Sequence, residues 1–153
     1  MNNSRKYIDP LVINYLIQAQ EEFTLLMPDS QENLVATEWL EKNFLIASWG
    51  RIAWNEVRGS SCKNWDDFSE LLSAFEKLVS ENIPENKLSG TVIIFWGNAS
   101  TPGLRIKLSV FLKYLEAMLE EYSDAWVCSE EDKWCIEVYH EGEICFGAAS
   151  NFG

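Results

Sequence analysis

Positive charge is scarcest in this sequence where negative charge is densest. Residues 116–143 hold ten acids (Glu116, Glu120, Glu121, Asp124, Glu130, Glu131, Asp132, Glu137, Glu141 and Glu143) against one base, Lys133. The segment therefore accounts for −9 of a net charge of −12, and the rest of the chain is close to balanced. A field of that sign repels nucleic acid and anionic membrane surfaces, which argues against direct binding to either and favours a basic partner. Histidine is limited to His140. Any Ser-His-Asp or Cys-His arrangement must pass through it, and it stands beside Glu141 and Gly142 at an expected hairpin turn, an exposed place for catalysis. There is no Gly-x-Ser-x-Gly elbow. Adjacent carboxylates suited to glycoside hydrolysis are expected by chance among 24 acids, and none stands in an evidently apolar setting that would raise its pKa. The chain also lacks Cys-x-x-Cys and His-x3-5-His spacings, so Cys128, Cys135, His140 and Cys145 read as sheet residues and not as zinc ligands. No metal or cofactor is expected. No apolar run approaches a membrane span, and Asp9, Pro10 and Asn14 interrupt the only stretch that resembles a leader. A cytosolic protein is expected, with Cys62, Cys128, Cys135 and Cys145 reduced.

What is present suffices for one domain with a substantial core: 153 residues, 47% hydrophobic and 13% aromatic. "IDPLVINYLIQAQEEFTLLMPDS" suggests a first helix capped by Asp9, with Pro10 in its first turn, ended by Pro28 and Asp29, and with apolar residues on all sides, hence well buried. Residues 31–62 are the least legible. Leu34, Val35, Trp39 and Leu40 suit a helical face, and helix is expected to about Ala47. "NWDDFSELLSAFEKLVSEN" places Phe68, Leu71, Leu72, Phe75, Leu78 and Val79 on one stripe, with Asn64 a candidate cap and Asp66 and Asp67 favouring the amino end. "TVIIFWG" has the continuous apolar, β-branched character of a strand buried on both faces. A long helix is expected from Leu104 to Tyr122. "AWVCS", "WCIEVYH" and "EICFGA", separated by the turns "EEDK" and "EG", read as an antiparallel meander. The expected class is α+β: a helical amino-terminal half, then β-α-β-β-β with a small, largely antiparallel sheet.

The loop "GNASTPG" (97–103) occupies a strand-to-helix position where phosphate loops occur. It lacks the Gly-Lys-Ser/Thr ending, and Pro102 removes a backbone donor. An ordinary helix start, with Thr101 as cap, explains it. The carboxy-terminal sheet is harder to explain as a solvated face, because like charges on neighbouring strands repel and Lys133 alone relieves them. Aromatic residues lie among those acids. Aromatic anchors within a ring of one charge suit an interface with a basic protein. The candidate partner-binding residues are Glu121, Asp124, Trp126, Glu130, Glu131, Asp132, Trp134, Glu137, Tyr139, Glu141 and Glu143. A small adaptor binding some other basic protein, and a ligand-binding protein using the 97–103 loop, are the competing readings.

The run "VIIFWGNASTPG", the helical stretch after it and "DAWVCSEEDKWCIEVYHEGEICFG" together resemble bacterial immunity proteins of contact-dependent growth inhibition and other polymorphic toxin systems, over residues 91–150. That resemblance implies a non-enzymatic protein that binds a cognate toxin domain and blocks its active site or an adjacent surface. It also implies that the toxin is a basic protein, expected to be a nuclease. No catalytic or interface position is carried over with it.

Overall fold

The computed structural model describes residues 7–47 and 50–149. Residues 1–6, Ser48, Trp49 and 150–153 lie outside the described residues. Among the described residues, five α-helices flank a seven-stranded sheet. The helices are α1 (Val12–Gln18), α2 (Gln31–Asn43), α3 (Phe68–Asn82), α4 (Leu108–Lys113) and α5 (Leu115–Glu120). The strands are β1 (Thr24–Leu26), β2 (Ser61–Asn64), β3 (Thr91–Trp96), β4 (Gly103–Lys107), β5 (Ala125–Ser129), β6 (Trp134–Tyr139) and β7 (Glu143–Ala148). Their spatial order is β1-β4-β3-β5-β6-β7-β2, and every neighbouring pair is antiparallel.

The α+β class holds, but the sheet is larger than expected and the amino-terminal half is only partly helical. β1 and β2 come from that half and form the two edges. Both are short segments without a clear period-2 signal; pairing with β4 and β7 makes them strands. The carboxy-terminal meander matches expectation closely, with β5, β6 and β7 at the anticipated positions.

Two helical expectations change. Gly103–Lys107 is a strand, so the 97–102 loop closes a β3–β4 hairpin and is not a helix start. Leu104 and Ile106 point inward at strand spacing, and the helix begins at Leu108. Leu104 also fits the helical stripe through Leu108, which is why periodicity joined the two segments. The stripe is then broken at Tyr114. Thr101, expected as a cap, is buried and shares a 2.7 Å hydrogen bond with the Tyr122 hydroxyl. At the amino end, α1 is shorter than expected. Asp9 and Pro10 precede it without side-chain capping, and Leu11 (72% exposed) and Ile17 face outward.

The signals of α3 are local and complete. Its cap is Asp67, not Asn64: the Asp67 side chain accepts from the Glu70 amide at 2.9 Å, and Glu70 reaches back to the Asp67 amide at 3.2 Å. Asn64 ends β2. α2 is capped by Ser30 and stops at Asn43, short of Ala47; it buries Ala36, while Leu34 and Val35 are exposed.

The sheet separates two hydrophobic layers. On one face, Val92, Ile94, Trp96, Ile136, Val138 and Ile144 meet α1, α3, α4 and α5, centred on Phe75 and Phe111, whose rings lie 5.5 Å apart. On the other, Ile93 packs with Leu26 and Ala36. Farther along that face, Cys128, Cys135 and Cys145 lie beneath Phe44, Ile52 and Trp54. The carboxy-terminal sheet is therefore covered on both sides.

Candidate partner-binding site

Strand parity places Cys135, Glu137 and Tyr139 on one face of β6 and Trp134, Ile136 and Val138 on the other, as the alternation implies. Because both faces are covered, that alternation does not divide core from solvent. Glu137 is only 1% exposed. Its carboxylate accepts four hydrogen bonds: from Arg51 Nε (2.8 Å), the Ile52 amide (2.9 Å), Trp54 Nε1 (2.9 Å) and Trp126 Nε1 (2.8 Å). A buried charge is tolerated when its lone pairs are met by donors and a counter-charge, and here they are. Arg51 also donates from Nη2 to Glu143 at 2.8 Å, and its Cζ lies 3.9 Å from the centre of the Tyr139 ring. Burial alone would lower the Arg51 pKa, but the hydrogen bonds and charges of Glu143 and Glu137 outweigh it and hold the guanidinium above its ordinary value. This cluster fastens the segment around Arg51–Trp54 to the sheet. No local pattern signals it, because Arg51 lies in the stretch without readable periodicity.

Three of the eleven candidate residues are thus occupied internally. Glu137 is a structural acceptor. Trp134 is 5% exposed and stacks at 5.8 Å on Phe146, beneath the helices. Trp126 is half-buried and donates its indole N–H to Glu137. The expectation that Trp134 and Glu137 offer themselves to a partner is corrected by this burial.

The other candidates separate to opposite ends of the sheet. Glu130, Glu131 and Asp132 lie in the β5–β6 turn. Asp124, Glu141 and Glu143 lie around the β6–β7 turn, roughly 15–20 Å away along a six-residue strand. At the first end the charge is largely countered: Arg105 bonds Glu130 at 2.6 Å, and Lys87 lies 3.3 Å from Asp132. Glu131 is exposed. At the second end, Glu143 is held by Arg51. Asp124 accepts from the His140 amide at 2.8 Å and lies 3.0 Å from its Nδ1. Glu141 accepts from the Tyr139 hydroxyl at 2.8 Å. This interaction is the leading cause holding the Tyr139 phenol above its ordinary pKa, with burial adding to it. Among the described residues, no lysine or arginine forms an ion pair with Glu120, Glu121, Asp124 or Glu141.

The second end also carries a groove of about 450 Å³ between the start of α3, the end of α5 and His140. Trp65, Phe68, Leu71 and Leu119 supply its apolar lining, and Glu120 and Glu121 its acids. Glu121 Oε1 accepts from the Leu11 amide at 2.9 Å. Burial raises the Glu121 pKa, opposed by the nearby Leu11 and Val12 amides, with the Glu120 charge adding to the rise. The α5 terminus has no basic residue in its last turn, where the helix dipole favours cations. Gly142 fixes the approach of the β6–β7 turn to Trp65. Its φ is +92°, and a Cβ there would lie 2.6 Å from the Trp65 carbonyl oxygen. Glu120 and Trp65 are absent from the sequence-derived candidates. Only the acid count hinted at Glu120, and nothing local hinted at Trp65.

His140 is remote from the cysteines in function as well as register. Among the described residues its ring bonds only to Asp124, and no serine or cysteine side chain reaches it. Cys62 and Cys145, expected to be reduced, are opposite one another on β2 and β7 and form a disulfide. Cys128 and Cys135 are free, buried and 2.9 Å apart. Burial pushes the Cys135 thiol far above its ordinary pKa, with Cys128 adding to the effect. Cys62, Glu143 and Cys145 bring donor atoms within 4.8 Å of one another. The two sulfurs are bonded together and Glu143 is engaged by Arg51, so their geometry does not present a ligand set. No described helix is long and apolar enough to cross a membrane.

No curated protein matches the chain. The model of the family described as "CdiI immunity protein EcoliA0-like" matches residues 16–147, from within α1 into β7, and so takes in β1 to β6 and α2 to α5 entire, with the end of α1 and most of β7. By that match the chain belongs to the CdiI family of immunity proteins of contact-dependent growth inhibition.

Proposed function

We propose that this immunity protein neutralises a cognate toxin domain by docking the acidic end of its sheet over the toxin's active site or an adjacent basic surface. The toxin is a basic protein and, on this reading, a nuclease. The protein itself is a cytoplasmic binder with no catalytic step, and its inhibition is occlusion. The observation that carries the reading is the asymmetry of ion pairing. The chain's own cations offset Glu130 and Asp132, two of the three acids of the β5–β6 turn, while Glu120, Glu121, Asp124 and Glu141 at the other end have no lysine or arginine partner among the described residues. Same-sign carboxylates clustered at a helix carboxy terminus repel one another and the dipole. A basic partner relieves both costs on binding and is steered by the same field. Tyr139, half-buried beside Glu141, supplies an aromatic edge to that surface.

The test uses a cognate toxin domain, expected to be encoded beside the gene of an immunity protein. Co-expression with this protein should rescue growth, and Asp124→Lys with Glu141→Lys should slow association by roughly tenfold or more at low salt, with the difference shrinking as salt rises. Glu130→Lys with Glu131→Lys should have the smaller effect. Equal slowing by both pairs would place the docking surface elsewhere. Killing that persists despite co-expression would remove the toxin-neutralising reading for that pair.

A further inference from the structure

Two residues that line the groove at the acidic end each hold a buried polar atom without a hydrogen-bond partner among the described residues: Trp65 Nε1, a donor, and Glu121 Oε2, an acceptor. Unpaired buried polar atoms are uncommon and each costs about 1–3 kcal/mol. Their residues line the same groove, together with Phe68, Leu71 and Leu119. We propose that this groove receives a single lysine or arginine side chain of the bound toxin, an inference that rests on the neutralising role proposed above.

The chemistry fits such a side chain. Lysine and arginine bury a hydrocarbon stem against apolar surface while the charged head seeks polar groups. Trp65, Phe68, Leu71 and Leu119 provide the apolar surface. Glu120 and Glu121 provide two carboxylates for the head, and neither forms an ion pair with a lysine or arginine of the chain's described residues. Glu121 Oε2 supplies an acceptor for an incoming ammonium or guanidinium proton. The Trp65 indole N–H is left to donate to a carbonyl of the inserted residue's own backbone. An acidic side chain would meet like charge, and an apolar one would leave Glu121 Oε2 unpaired. The groove beside α3 and α4, lined by Val79, Ile83 and Leu112, is larger, about 670 Å³, but it sets Lys77 beside its two acids, Glu76 and Glu85. That lysine repels an incoming cation, whereas the groove at the acidic end has no base in its lining apart from His140.

The experiment is binding of the cognate toxin domain to four variants, with the Trp65 indole N–H followed by NMR in the wild type. Glu121→Gln keeps the acceptor for the Leu11 amide and removes the charge; Trp65→Phe keeps the ring and removes the donor. The proposal expects Glu121→Gln to weaken binding by about 30-fold or more, chiefly through faster dissociation, as for loss of a desolvated charge pair. It expects Glu120→Gln to act in the same direction, Trp65→Phe to act more weakly, and the Trp65 indole resonance to shift on complex formation. The rim variant Glu141→Lys should instead slow association. Wild-type affinity and dissociation in Glu121→Gln, with an unmoved indole resonance, would overturn the groove proposal while leaving the docking reading intact if Glu141→Lys still slows association. If the wild-type protein fails to bind the toxin domain at all, both fall. Circular dichroism and urea unfolding of each variant separate lost binding from lost folding.

Discussion

Glu137→Leu should be far more damaging than an acid-to-apolar change on an acidic protein would suggest. The substitution keeps approximate volume and removes the acceptor for Arg51 Nε, the Ile52 amide and the indole N–H groups of Trp54 and Trp126. An orphaned buried donor costs about 1–3 kcal/mol, so the amide and two indoles alone imply roughly 3–9 kcal/mol if nothing relaxes. Arg51 adds less than a fully buried cation would, because its side chain is 17% exposed and still bonded to Glu143. Relaxation sets the ceiling. The segment around Arg51–Trp54 can detach and let water reach the donors, so the loss is limited by what that segment contributes when docked. The expected destabilisation is about 3–5 kcal/mol, a large share of the 5–15 kcal/mol typical of a domain. Urea unfolding followed by tryptophan fluorescence measures it. The slope with denaturant should fall if the variant's native state already exposes this segment, and limited proteolysis should cut near it. Arg51→Met should cost less, since Glu137 keeps its three other donors, and the double variant should lie close to Glu137→Leu alone. A Glu137→Leu protein within about 1 kcal/mol of wild type, with an unchanged slope, would refute the assignment of this carboxylate as the clamp.

Two further predictions concern the α3 cap and the β2 edge. Asp67→Ala should lower the Tm by about 2–4 °C, as loss of a capping side chain does in a domain of this size. The Glu70 amide, followed by the Ser69 hydroxyl, holds the Asp67 carboxyl below its ordinary pKa of 3.8. Its charge therefore stabilises the fold fully above the unfolded value, and that contribution disappears as the pH falls through the lower folded value. Thermal melts of wild type and variant should accordingly converge below about pH 3.8 and differ by a constant amount at neutral pH. Cys62→Ser, or reduction, opens a link across a sequence separation of 83 residues. The loop-closure model puts the loss at about 4.5 kcal/mol as an upper value. The protein should nonetheless remain folded, because β2 keeps four residues in register with β7. A matching urea midpoint with and without reductant would show that the bridge contributes nothing.

Much of the fold was legible because its causes are local. The α3 stripe, its acidic start and the stop at Pro84 lie within one stretch of sequence. The same holds for β3, with its apolar β-branched run, and for the three carboxy-terminal strands, bounded by turn residues. β4 was misread because Leu104, Leu108 and Phe111 satisfy a helical period even though the first belongs to a strand. β1 and β2 were missed because a short edge segment becomes a strand by pairing, and its partner lies far away in the chain.

By itself, the sequence determined the sign of the chain's own charge, the concentration of acids in residues 116–143 and the alternation of β6. These depend on residue identity and on a period of two, which no tertiary arrangement alters. Only the tertiary structure decided which acids remain available. It covered the second face of the sheet, turning Glu137 into a buried acceptor and Trp134 into core. It brought Arg105 and Lys87 to one end of the sheet. It gathered Trp65, Glu120 and Glu121 into a groove at the other. Charge is additive along a chain, but pairing and burial depend on which distant residues fold beside it.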